Sequence, residues 1–144
     1  MYSVTTQVTF EAAHRLRSAY TEECFKNLHG HSYRVEVEVA STELNSDNMV
    51  CDFKKLKEIV RCNIEEKYDH SCILHADDPL VEPIVKYCGK VYVWHENPTA
   101  ENMARTFYYS IANTPEFKEL SCELVRVSVW ETEHNMATFQ PDRG

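Results

Sequence analysis

No apolar run in this chain approaches the length needed to cross a membrane, and no apolar segment follows a basic start, since MYSVTTQVTFEAAH alternates polar and apolar residues from the outset. The expectation is a soluble, cytoplasmic protein without a membrane partner. An excess of positive charge is also lacking: the formal net charge is -8. Nucleic-acid backbones and anionic membranes are therefore excluded as main partners, although a local basic pocket on an acidic protein still admits an anionic substrate. There is no CxxC, and the six cysteines are irregularly spaced, which favours reduced thiols packed mostly as small core residues over a disulfide framework. Internal repeats and low-complexity tracts are absent, and 144 residues suit a single domain, 1–144.

What is present is organised around NLHGHSYRVEVEV, residues 27–39. As an extended strand it places His29, His31, Tyr33, Val35, Val37 and Val39 on one side and Ser32, Arg34, Glu36 and Glu38 on the other. Two adjacent imidazoles on an apolar face each carry polar atoms to satisfy, and a shared cation is a common solution. Residues 4–14 read as a strand of the same kind, with Val4, Val8, Phe10, Ala12 and His14 on one face. His14 can thus supply a third ligand to a zinc that keeps a fourth position open. Other divalent metals also accept histidine ligands. His75, His95 and His134 show no comparable pattern and read as surface residues.

Residues 15–27 have neither helical nor strand period and form a loop beside the candidate metal site. After turn chemistry at 41–49, Asp52 is a plausible N-cap for an amphipathic helix carrying Phe53, Leu56, Ile59, Val60 and Ile64, through about residue 66. Residues 75–90 look irregular, and VYVW (91–94) can form a short strand. Thr99 stands at the N-cap of a second helix, with Glu101 in its first turn and Met103, Phe107 and Ile111 as its apolar stripe. Residues 122–131 alternate again, placing Val125, Val127, Val129 and Glu131 on one face, and MATFQ is a last strand. The order ββααββ predicts an α+β domain, an antiparallel four-stranded sheet with two helices on one face.

FEAAH, LHGHSY, MVCDFKKLK, YDH, PTAEN and VWETEHN, in that order across nearly the whole chain, resemble the 6-pyruvoyltetrahydropterin synthase and 6-carboxytetrahydropterin synthase family. The resemblance implies the tunnelling fold (T-fold), a homohexamer built as a dimer of trimers, and one Zn2+ per subunit held by His14, His29 and His31. It implies a pterin substrate, 7,8-dihydroneopterin triphosphate, with Cys24 as thiolate base and Asp69 and His70 assisting proton movement. By motif, Glu131 is the carboxylate that accepts from the pterin ring, and Thr99 and Glu101 occupy further substrate-contacting positions. A carboxylate on an apolar face at a strand end fits a cyclic, guanidine-like partner.

Four residues separate Cys24 from His29, intermediate between the carboxy-forming and pyruvoyl-forming enzymes, so this spacing does not choose between them. Some relatives use a glutamate and cleave the side chain as aldolases do, and Glu22 and Glu23 flank Cys24. After YDH this chain reads SCIL where relatives continue with leucine and asparagine. The expected activity is 6-carboxytetrahydropterin formation, in queuosine (7-deazaguanine) synthesis. The alternatives are pyruvoyl formation, aldolase-type cleavage and a non-catalytic pterin-binding module.

Overall fold

The computed structural model describes residues 1–17 and 27–143. Two long strands, β1 (Tyr2–Arg15) and β2 (His29–Ser41), form its antiparallel centre, in a register that sets Val8 opposite Val35 and Phe10 opposite Tyr33. The predicted face is the one that is buried: Val8, Phe10, Ala12 and His14 on β1, and Tyr33, Val35, Val37 and Val39 on β2. Period-two alternation thus decides which side of the sheet meets the core.

Asp52 caps the first helix as expected, its carboxylate accepting from the Lys54 and Lys55 backbone N–H groups. Helix α1 (Phe53–Val60) runs directly into a π-helical stretch, Arg61–Glu65, and a last turn, Glu66–Tyr68, so the helical segment ends slightly later than predicted. The Asn63 side-chain amide donates to the Ile59 carbonyl at 2.7 Å, a local competitor for the ladder where it widens. Leu56, Ile59, Val60 and Ile64 are buried, but Phe53 is exposed because it occupies the first helical position, ahead of the packed face.

The sheet exceeds the four antiparallel strands expected. β3 (Ser71–His75) and β4 (Val91–Trp94) add to the free side of β1, both pairings being parallel, and α2 (Val81–Tyr87) crosses between them. Their signals are weak for physical reasons. Four of the five residues of β3 are buried, so it does not alternate, and Pro83 sits in the first turn of α2, where a missing N–H costs little.

Helix α3 (Ala100–Ala112) is capped by Thr99, whose hydroxyl accepts from the Asn102 N–H, and α4 (Pro115–Lys118) is a single turn. β5 (Glu123–Trp130) and β6 (Met136–Phe139) complete the six-stranded mixed sheet, order β4-β3-β1-β2-β5-β6. In β5 the register shifts opposite Glu38 and Val39. Leu124, not Val125, consequently pairs with Val39 and is buried. Helices α1 and α3 pack on the inward face, with Phe107 edge-on to Phe10 at 5.8 Å. Among the described residues no helix is long and apolar enough to cross a membrane.

Candidate metal centre

Sheet register assembles the centre. His14 lies directly opposite His29 across β1 and β2, and His31 lies opposite Ala12, whose small side chain leaves room beside it. The three rings meet edge to face, with centroids 4.6, 5.0 and 5.1 Å apart, and one ligand atom from each falls within 4.8 Å of the others. Gly30 between the two β2 histidines has a steric reason, since a Cβ there would meet the Ala12 carbonyl oxygen at 3.3 Å.

Hydrogen bonds fix which ring nitrogens face inward. His14 Nδ1–H donates to the Pro98 carbonyl at 2.7 Å, and His29 Nδ1–H donates to the Asn27 carbonyl at 3.0 Å. A carbonyl only accepts, so each neutral ring turns an Nε2 lone pair inward. Those two Nε2 atoms are 2.9 Å apart. His31 Nε2 is buried without a hydrogen-bond partner among the described residues. Lone pairs held this close repel unless a cation lies between them, and a proton is disfavoured there: burial lowers the His14 pKa to about 4 and moves that of His31 down as well. Neutral imidazoles with outer hydrogen-bond partners are what a divalent metal requires. The three-histidine set therefore fits a metal ion.

The Glu131 carboxylate stands at the rim, its Oε1 3.5 Å from His14 Nε2 and 3.6 Å from His31 Nε2. It is the fourth group of the sequence reading that the fold brings to this place. Among the described residues no hydrogen bond or ion pair joins Asp69 or His70 to the three histidines. Asp69 and His70 lie on the β3 side of β1, where the Asp69 carboxylate accepts from the Glu11 N–H at 2.8 Å and the His70 N–H donates to the Glu11 carbonyl at 2.6 Å. His70 takes a positive φ of 63° in that turn. Its side chain is 81 % exposed, beside a cavity of about 420 Å³ that His31 also lines.

Thr99 and Glu101 serve the start of α3, Thr99 through its cap and Glu101 as first-turn charge. Cys24, Glu22 and Glu23 lie outside the described residues. The five described cysteines are free. Only Cys51 and Cys72 are buried, while Cys62 and Cys88 are exposed, so the expectation that most cysteines pack in the core is corrected. His75 is half-buried, accepting from the Asp77 N–H.

The two outer partners, the Pro98 and Asn27 carbonyls, escaped the sequence reading because a backbone carbonyl leaves no residue-type signature, and so did Asn97, which holds the Pro98 corner. The Asn97 side chain clamps the chain just beyond β1, accepting from the Arg17 N–H at 2.9 Å and donating to the Arg17 carbonyl at 3.0 Å. Its own carbonyl accepts from the Asn102 side chain at 2.8 Å. This corner aims the Pro98 carbonyl at His14. Asn97→Ala is therefore expected to weaken metal binding by about tenfold, as loss of an orienting group does, read by competition with a chromophoric chelator.

A three-histidine centre, with His14 buried and His29 and His31 half-buried, at the end of an inward sheet face on an α+β scaffold with a mixed sheet and helices on that face, defines a metal-competent T-fold. The chain belongs to the 6-pyruvoyl tetrahydropterin synthase family, whose family model matches residues 3–142. Membership makes it an enzyme of lyase type. It is 33% identical to the 6-carboxy-5,6,7,8-tetrahydropterin synthase of Aquifex aeolicus over 162 aligned positions, covering 98% of the chain and 99% of that relative. It is 37% identical over 106 positions to the enzyme of the same description from Rickettsia felis, covering 72% of the chain and 75% of the relative. Among solved structures, an uncharacterized protein from Wolinella succinogenes superposes with a TM-score of 0.80 at 23% identity, covering 98% of both chains. The 6-pyruvoyl tetrahydropterin synthase of Caenorhabditis elegans gives 0.70 at 24% identity, covering 98% of this chain and 96% of its own.

Proposed function

We propose that this protein is a zinc-dependent lyase converting 7,8-dihydroneopterin triphosphate to 6-carboxy-5,6,7,8-tetrahydropterin. The observation that carries the reading is the pair of Nε2 atoms facing each other at 2.9 Å beside an unpartnered His31 nitrogen, in a chain 33% identical over nearly its whole length to a curated enzyme of that description. His14, His29 and His31 hold one zinc per subunit. When bound, zinc supplies Lewis acidity that makes carbon-bound protons beside the substrate's hydroxyls easier to remove.

The protein groups do the remaining work. Glu131, at the rim of the centre, accepts hydrogen bonds from the pterin amino and ring N–H groups and fixes which face of the substrate meets the histidines. Cys24 is the base, its thiolate taking the proton. Asp69 and His70 pass protons as a pair, His70 Nε2 standing 3.5 Å from the Asp69 carboxylate. The exposure of His70, on the far side of β1 from β2, supports its presentation to the site of a neighbouring subunit. Among the described residues strands β4 and β6 leave both sheet edges unpaired, which supports assembly into the family's hexamer.

The test is to incubate purified protein with the triphosphate and identify products. Acetaldehyde released together with triphosphate is the expected result. A pyruvoyl pterin without acetaldehyde assigns the other branch of the family, and bound but unconverted pterin assigns a binding module.

A further inference from the structure

Tyr33 is the next inward residue of β2 after His29 and His31, and it is fully buried. Its ring stacks on Phe10 at 4.9 Å and presents itself at a steep angle to His31 at 5.4 Å and His14 at 6.0 Å. Packing alone would be served by phenylalanine. The Tyr33 hydroxyl has no hydrogen-bond partner among the described residues, an arrangement that costs stability unless another state of the site satisfies it.

Sheet register identifies the partner. Val35 pairs with Val129 and Arg34 with Trp130, so continuing the antiparallel ladder by one step sets Tyr33 opposite Glu131. Directly opposed residues share a face, with Cβ atoms about 4.5–5.5 Å apart. The partner this register assigns is the Glu131 carboxylate. From the other side, that carboxylate is already 3.5 and 3.6 Å from two histidine nitrogens. A cation among those histidines attracts a neighbouring carboxylate, and a carboxylate drawn onto it would have fewer lone pairs for a ligand's N–H groups. A donor on the opposite side counters that pull.

We propose that Tyr33 is a positioning residue for pterin binding: its hydroxyl donates to the Glu131 carboxylate and keeps it aimed at the ring N–H groups instead of the metal. The role rests on the reading of Glu131 as the pterin acceptor. Phenylalanine preserves the stack on Phe10, so Tyr33→Phe isolates the hydroxyl. With zinc-loaded protein and 7,8-dihydroneopterin as the probe, Tyr33→Phe is expected to raise Kd about tenfold, with zinc content unchanged and the thermal midpoint unchanged or higher. In a Glu131→Gln background the same substitution is expected to add less than about twofold, because its effect passes through that carboxylate. Equal affinity in Tyr33→Phe, a loss that merely follows a lowered thermal midpoint, or a full further tenfold loss on top of Glu131→Gln each overturns the role. If the unsubstituted protein does not bind the probe, the pterin reading falls together with it. Retained binding with no effect of Tyr33→Phe removes the Tyr33 role alone.

Discussion

His31→Ala is expected to cut zinc affinity by more than about a hundredfold, so that protein passed through gel filtration in a weak chelator emerges nearly metal-free. Loss of an outer orienting partner costs about tenfold to a hundredfold in such centres, and removal of a ligand itself exceeds that. His31 is the informative choice because its side chain is 20 % exposed, whereas His14 is wholly buried and its truncation would leave a hole in the core. The His31 Nε2 has no hydrogen bond to lose among the described residues, so the metal-free form should unfold at an unchanged or slightly higher temperature. Zinc retained at the level of the unsubstituted protein would remove His31 from the ligand set.

Metal-free protein should lose about 3 kcal/mol of stability as pH falls from 6.5 to 4. Burial holds the folded His14 pKa at about 4 against 6.5 for the exposed ring. Between those values the unfolded chain binds a proton that the native chain does not. The stabilisation is therefore complete above the unfolded pKa and is lost as pH drops toward the folded one. His31 is shifted in the same direction by burial and adds to the slope. Zinc-loaded protein should fall more steeply, since protonation also releases the metal. Urea unfolding at pH 7, 5.5 and 4.5, run beside His14→Gln, checks this. Equal slopes in the two proteins would show that His14 is not desolvated in solution.

The legible parts of this molecule were those where one residue type on one period determines the outcome. Alternation along 4–14 and 29–39 located the inward face, the histidines on it and the centre they form, because a strand has only two faces and only one can be buried. Asp52 and Thr99 were readable as caps for a similar reason: each carries a side-chain acceptor immediately before an amphipathic run. Strand β3 was not legible, since burial on both sides erases its alternation, and neither was the bulge at Val125, which depends on the partner strand. Asp69 and His70 were found by motif, but their position on the β3 side of β1 follows from that unread parallel pairing. The Pro98 carbonyl reaches His14 from the loop between β4 and α3, a tertiary contact that no single segment specifies.

The His14–Pro98 hydrogen bond joins the metal centre to the corner that begins α3, the helix carrying Met103, Phe107 and Ile111 into the core. Docking of that helix and occupancy of the centre consequently draw on one shared free energy. A metal that stiffens the imidazole also stiffens the first turn of α3, and a core substitution at Phe107 reaches the histidines by the same route in reverse. The centre is in this sense a clasp closing the helical layer onto the sheet, and hydrogen exchange at residues 99–103 becomes a remote gauge of whether it is fastened.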